Sequence, residues 1–325
     1  MGNMEERMRI LIGYDGSVPA DGALYELERA GLPAKAEAVV LCVTTAWVEF
    51  VSPHGSRKQV WPGRAANPRY RHALEQCLGE AQALAERGRR FLQRAFPDWK
   101  IKAEAAMDDA AEGILKKAGT WKADLIILGS HGRSAFGRLL LGSVSQNVLH
   151  HSPVSVRITR AGLKQGKRPI RLMLGMDGSA GADAAVAAVA GRTWPKNTEV
   201  RVVGVADTRS NLYFPALEAG FNKMNLGFIP DEKARLEKPV EAAVARLTAR
   251  GLRVQSKVGE GDPRAVLLQE AEEWGAHCIF LGSRGLSATE RLLLGSISSA
   301  VATHARCTVE IVRSTKKKPK TRNAN

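Results

Sequence analysis

The residues best suited to chemistry in this chain are glycines and serines at fixed spacing. Gly129-Ser130-His131-Gly132 is followed by nine residues and then Gly142-Ser143; the pattern returns as Gly282-Ser283-Arg284-Gly285, nine residues, and Gly295-Ser296. Of fifteen aligned positions eleven are identical, among them Ser134 with Ser287, Arg138 with Arg291, and Leu139-Leu140-Leu141 with Leu292-Leu293-Leu294. Each copy follows an apolar run, Leu125-Ile126-Ile127-Leu128 or Cys278-Ile279-Phe280-Leu281, and leads into a Val/Ile-Ser-x-x-Val segment. The runs read as buried strands and the segments as helix starts. Between strand and helix, glycines permit positive φ and close backbone approach, while the free N–H groups of a helix's first turn attract a phosphate. A tight turn alone would also use glycine.

Other chemistry is poorly supplied. The Gly-x4-Gly-Lys-Ser/Thr pattern is absent, so no Lys is placed by the loop, and no second carboxylate recurs in both copies to hold Mg²⁺. Asp15 and Asp177 are two candidates for carboxylate chemistry, each in an Asp-Gly-Ser turn, where they can accept hydrogen bonds from a ligand or cap the next helix. His150-His151 and His304 precede the last strands at matched positions, where a helix end favours a cation. His131 alone lies in a phosphate loop, while His54 and His72 carry no pattern. Cys42, Cys77, Cys278 and Cys307 are dispersed, with no metal-like pairing; three sit in apolar runs and read as buried, inert thiols. No catalytic residue emerges.

The elements that must position these loops also come in duplicate. Arg9-Ile10-Leu11-Ile12-Gly13-Tyr14-Asp15-Gly16-Ser17 matches Arg171-Leu172-Met173-Leu174-Gly175-Met176-Asp177-Gly178-Ser179. Ala-rich helices over 20–30 and 180–190 follow, then strands ending at Val43 and Val205, each twenty-eight residues after its Asp. The copies diverge after these strands, over 47–70 and 207–231, and from Val43 to the strand near 100 the first is nine residues longer than the second from Val205 to the strand near 253. Variable length between matched strands marks a surface excursion. Helices over 73–95 and 233–250, strands near 100–105 and 253–258, and short helices opened by Asp109 and Asp262-Pro263 come next, the last closing at Trp121 and Trp274, read as core anchors. The final strands cover 154–158 and 308–312, with a polar linker over 160–169.

Val/Ile-rich strands alternating with helices predict two tandem doubly wound α/β domains, each a five-stranded parallel sheet of Rossmann-like type, over residues 1–162 and 163–315. Lys316 to Asn325 reads as a basic disordered tail; five of its charges leave +10 of the formal +15 on the rest of the chain, which favours polyanionic partners. Aromatic content of 6%, with no basic runs interleaved with aromatics, argues against a dedicated nucleic-acid surface. No apolar run approaches the roughly 20 residues of a membrane span, so a cytoplasmic location without membrane contact is the expectation.

With both Asp-Gly-Ser turns and both Gly-x2-Gly-x9-Gly-Ser loops in view, the sequence resembles the universal stress protein family, as a tandem member of its ATP-binding branch covering nearly the whole chain. The resemblance implies an adenine nucleotide hydrolase-like fold, and a nucleotide (ATP, ADP or AMP, with or without Mg²⁺) held by the first-strand Asp, the end of the second strand and the Gly loop. Carried over, the site is Gly13, Tyr14, Asp15, Val43, Leu128, Gly129, Gly132, Gly142, Ser143, Val144 and Ser145 in the first half. In the second it is Gly175, Met176, Asp177, Val205, Leu281, Gly282, Gly285, Gly295, Ser296, Ile297 and Ser298. Two departures stand out: His277 where the first half has the family's usual Asp124, which predicts local irregularity, and Arg284 against His131 with Leu286 against Arg133, which gives the two loops different charge.

A nucleotide-binding stress or signalling switch follows as the leading expectation. A slow ATPase or phosphotransfer enzyme is the alternative within the site, and an RNA- or acidic-partner-binding module using the basic surface is the alternative outside it. An open terminal strand is a liability that homologous domains remove by pairing last strand with last strand. Arg157 and Glu310 occupy matched positions, an exchange of charge that predicts an intramolecular pseudo-dimer, with homodimerisation of the whole chain as a further level of assembly and an exposed pair worth under ~1 kcal/mol.

Overall fold

The computed structural model of the chain describes residues 7–45, 48–51, 57–60, 68–132, 141–160, 169–207, 232–285 and 294–314. The basic tail, most of the 47–70 insertion, and the loop segments carrying Arg133, Ser134 and Arg138 lie outside them, as do Leu286, Ser287 and Arg291. The first half runs β1 (Met8–Gly13), α1 (Val18–Glu26), β2 (Ala36–Thr44), β3 (Val48–Val51), β4 (Arg57–Val60), α2 (Pro68–Ala95), β5 (Lys100–Met107), α3 (Ala110–Trp121), β6 (Leu125–Gly129), α4 (Ser143–His151) and β7 (Ser155–Thr159). The second runs β8 (Arg171–Met176), α5 (Ala180–Ala190), β9 (Glu199–Ala206), α6 (Glu232–Thr248), β10 (Arg253–Glu260), α7 (Pro263–Trp274), β11 (Cys278–Gly282), α8 (Ser296–His304) and β12 (Thr308–Val312).

Local chemistry explains the boundaries. Ser17 and Ser179 accept from the Ala20 and Ala182 N–H groups and so cap α1 and α5; Asp109 and Asp262 cap α3 and α7, the latter with Pro263 in its first turn. Helix α1 is shorter than its Ala-rich stretch predicts: it stops at Glu26 and tightens into a 3-10 turn over Leu27–Arg29. Helix α3 ends on Lys122 at φ 55°, α7 on Gly275 at φ 68°. Both close a left-handed cap, but only glycine does so without a Cβ penalty. Lys122→Gly is therefore expected to raise the unfolding free energy by roughly 0.5–1 kcal/mol, read as a higher urea midpoint at unchanged slope.

The sheet is a single layer of ten strands in the order β10-β9-β8-β11-β12-β7-β6-β1-β2-β5. Each half is five parallel strands whose order reverses beside β1 or β8, as right-handed crossovers onto both faces require. The halves join where β7 meets β12, antiparallel, with Arg157 directly opposite Glu310. The β3–β4 hairpin inside the insertion is an element the sequence reading did not foresee.

Two faces of this sheet differ at the seam. On one, Val156 and Ile158 of β7 and Val309 and Ile311 of β12 join α3, α4, α7 and α8 in one apolar cluster that runs across both halves. On the other, the apolar clusters under α1–α2 and under α5–α6 are separate. Arg157 and Glu310 fill the gap between them. The expectation of an exposed pair is overturned, because each side chain is 1% accessible. Trp121 and Trp274, by contrast, are only partly buried; they pack against the rim of the shared cluster, Trp274 beneath the Arg201 guanidinium at 4.5 Å.

The expected irregularity at His277 does not occur. Asp124 accepts the Arg9 N–H at 2.8 Å, and the His277 ring nitrogen accepts the Arg171 N–H at 3.1 Å, so the imidazole fills the carboxylate's role. Cys42, Cys278 and Cys307 are buried as expected, and burial pushes the Cys307 thiol up to about 12. No helix among the described residues is long and apolar enough to cross a membrane.

Candidate functional site

At the carboxyl ends of the strands, the order reversal opens a crevice in each half. Its first wall is the turn after β1 or β8. Asp15 accepts the Ser17 N–H at 3.0 Å and Asp177 that of Ser179 at 2.9 Å, with Gly16 and Gly178 at φ 74° and 77° between them. The two roles weighed for these carboxylates separate here: the serine caps the helix and the Asp holds the turn, leaving its second oxygen aimed across the crevice. That oxygen lies where a side chain on the facing loop would go, 3.0 Å from a Cβ built on Gly132 and 2.6 Å from one on Gly285.

The second wall is the loop from β6 to α4, or β11 to α8. The Gly142 and Gly295 N–H groups donate at 2.8 Å to the carbonyls of Ser130 and Ser283, which closes each loop on itself. Neither Gly142 nor Gly295 caps its helix with a side chain, and the helical ladder begins only with Gln146 and Ser299. The N–H groups of Ser143, Val144 and Ser145, and of Ser296, Ile297 and Ser298, thus precede the first intrahelical bond, at the positive end of a helix dipole. The Ser145 and Ser298 hydroxyls are engaged elsewhere: each donates at 2.7 Å to the last carbonyl of its strand, Gly129 or Gly282. What these serines offer a ligand is their backbone N–H; the Ser143 and Ser296 hydroxyls are exposed.

All eleven residues named for the second half line one cavity of about 410 Å³, within the range of small-molecule sites. Val203, Pro263, Leu267 and Leu281 make its apolar part; Asp207, Glu232, Arg235 and Arg284 add charge. The sequence reading missed Arg235 and Glu232 because α6 follows the stretch where the two copies lose register. Three carboxylates line the cavity, yet among the described residues no three His, Cys, Asp or Glu groups converge as a metal cluster. In the first half the same elements bring Gly13, Asp15, Gly129, Gly132 and Gly142 to the equivalent crevice. Tyr14 is the exception. Its side chain leaves on the other face of β1, where the hydroxyl donates to Asp21 at 2.5 Å, and only its backbone stays at the crevice.

Beneath each loop sits an arginine that sequence reasoning overlooked. Arg160 donates to the Ala302 and Thr303 carbonyls at the end of α8, and its counterpart Arg313 to those of Leu149 and His150 at the end of α4. Each half thereby caps a helix of the other. The signal was present: both arginines follow a last strand at the same offset. Both cations reach the loops electrostatically, since Arg313 lies near Arg284, and Arg160, after burial, is the second cause that lowers the His131 pKa.

His131 has Nδ1 3.0 Å from the Ser130 hydroxyl and a buried Nε2 with no partner among the described residues. Burial first, then neighbouring cations, also lowers His150. Both histidines take up a proton more readily in the unfolded chain. Their contribution is therefore intact above the ordinary value of 6.5 and is lost as pH falls through the depressed folded values. Urea midpoints are expected to fall between pH 7.5 and pH 5, and a double His131→Gln/His150→Gln substitution to flatten that slope.

Fold and site together define the class: a tandem doubly wound α/β protein with a crevice at each switch in strand order. Comparison with known proteins agrees. The Universal stress protein family profile matches residues 6–160 and 171–313, and the chain belongs to that family. It is 26% identical over 327 residues to a universal stress protein of Mycolicibacterium smegmatis, covering 94% of this chain and 96% of the relative. A crystal structure of a universal stress protein from Archaeoglobus fulgidus superposes with a TM-score of 0.61 at 23% identity, over 94% of this chain and 98% of the other. A Pseudomonas aeruginosa PAO1 protein of unknown function gives 0.53 at 15% identity, over 95% and 94%. The last two likenesses concern the fold.

Proposed function

We propose that each half, residues 1–162 and 163–315, binds one adenine nucleotide, with ATP as the principal ligand, and that the chain acts in stress response as a nucleotide-dependent switch rather than through turnover. The observation that carries the reading is the single cavity lined by all eleven second-half residues that the sequence motif singles out, floored by an uncapped helix N-terminus. Such an end offers three amide hydrogens and a favourable dipole to phosphate, with Arg284 alongside. Asp177, whose carboxylate faces Gly285 across the crevice, suits a ring amine or a ribose hydroxyl. The Gly-x4-Gly-Lys-Ser/Thr pattern that would set a Lys on the phosphates is absent from the sequence, which supports binding over hydrolysis.

The test begins with freshly purified protein, denatured and chromatographed for released small molecules, followed by calorimetry of the stripped chain with ATP and Mg²⁺. An adenine nucleotide in the extract, saturable heat at two sites and no phosphate release are the expected results. Absence of both nucleotide and heat overturns the reading, and steady phosphate release replaces the switch with a slow ATPase.

A further inference from the structure

The first half carries a second cleft, on the sheet face opposite its crevice, between α1 and α2. Its volume is about 450 Å³. Leu24, Tyr25 and Phe91 give it an apolar wall, with Tyr25 half exposed and its ring edge-on to Phe91 at 4.4 Å. Arg87, Arg90 and Arg94 stand along one face of α2 at the spacing that stacks side chains over successive turns.

Charge in this cleft is unbalanced. Asp21 is its only lining carboxylate, and both its oxygens are engaged: one accepts from the Tyr14 hydroxyl, the other pairs with Arg87. Arg90 lies 3.6 Å from Glu86, but that carboxylate is already held by two hydrogen bonds of 2.7 and 2.8 Å from Arg89. Two guanidinium groups thus face the cleft in excess.

The duplicated fold provides an internal control. Buried Ala81, Ala85 and Leu92 of α2 correspond to Leu236, Val240 and Leu247 of α6, a constant offset that places Ala242, Ala245 and Ala249 where the first half has Arg87, Arg90 and Arg94. By the strand register, Tyr14 and Tyr25 become Met176 and Ala187. The fold therefore needs neither the arginines nor the exposed tyrosine. A charge-bearing, aromatic-walled cleft present in one copy and erased in the other is a feature of ligand recognition rather than of the scaffold.

We infer that the α1–α2 cleft of the first half binds a small organic anion, a phosphate or carboxylate on a flat apolar body, with Arg90 and Arg94 holding the anionic group and Tyr25 and Phe91 stacking against the body. This inference does not rest on the nucleotide reading, because the cleft shares only the Tyr14 position with that site.

The full-length chain, saturated with ATP, is titrated with 2-naphthyl phosphate by fluorescence. One saturable site is expected, undisturbed by ATP, and weakened by about tenfold or more in Arg90→Ala/Arg94→Ala and in Tyr25→Ala. The arginine positions are exposed and alanine stands at their counterparts, so thermal unfolding should be unchanged. Displacement by ATP overturns the inference, as does equal binding by the arginine variant or equal affinity for 2-naphthol, which lacks the charge. Binding of poly-glutamate through the same arginines without binding of the naphthyl phosphate also overturns it, in favour of an acidic peptide.

Discussion

Glu310→Ala is expected to remove about 3–5 kcal/mol of folding stability, the scale found when one member of a buried ion pair is deleted. The carboxylate bridges two halves of the molecule: it accepts from Arg157 of β7 at 2.8 Å and pairs with Arg192, which follows α5. Arg157 in turn donates to Glu26 at the end of α1, at 2.5 and 3.0 Å. Four charges, two of each sign, close on one another in the gap between the separate apolar clusters. Burial opposes the ionisation of Glu310, but the two guanidinia outweigh it and hold its carboxyl below the usual value of 4.5. A depressed folded value means that the stabilisation is complete above pH 4.5 and is lost as pH falls through the folded value.

The cluster also says why a simple charge exchange will fail. In Arg157→Glu/Glu310→Arg, the new carboxylate at 157 faces Glu26 and the new guanidinium at 310 faces Arg192. Only with Glu26→Arg and Arg192→Glu added is every pairing restored, so the quadruple variant, not the double, is expected to recover most of the lost stability by urea denaturation. Equal recovery by the double variant would mean that the two outer charges do not couple to the inner pair. The same arrangement opposes wrong pairing: two first halves would bury Arg157 against Arg157, two second halves Glu310 against Glu310.

How much of this was legible in the sequence depends on the range of each interaction. Motif spacing located the strand ends, because β6 and β11 end at glycines that press against the backbone of α1 and α5. Matched positions placed Arg157 opposite Glu310, since duplicated strands that pair by pseudo-symmetry must align their own copies. Burial of that pair was not legible. It arises from Glu26 and Arg192, whose counterparts are Ala188 and Ala30, so duplication gave no hint of them. Strand alternation turns the Tyr14 side chain to the face opposite Gly13 and Asp15, although the motif sets all three side by side. Conversely, the Ser145 and Ser298 hydroxyls look free in a motif and are committed in the fold, because a strand's last carbonyl needs a donor that only the returning helix can bring.

Gly285→Val and Gly132→Val are each expected to abolish one of the two proposed nucleotide sites and leave the other. A Cβ at 285 would stand 2.6 Å from the Asp177 carboxylate, and at 132 it would stand 3.0 Å from that of Asp15. Either the carboxylate swings out of the crevice or the loop retreats from the helix end; both separate the ligand's two anchor points. Losing about two charge-assisted hydrogen bonds, at roughly 1.5–3 kcal/mol each, weakens binding by on the order of 10²–10⁴-fold. Folding should suffer far less, because Ser17 and Ser179 keep their helix caps. Calorimetric stoichiometry distinguishes the outcomes: two ATP per chain in the parent, one in each single variant, none in the double. A stoichiometry that stays at two in either single variant would show that the facing Asp and Gly do not form the cradle.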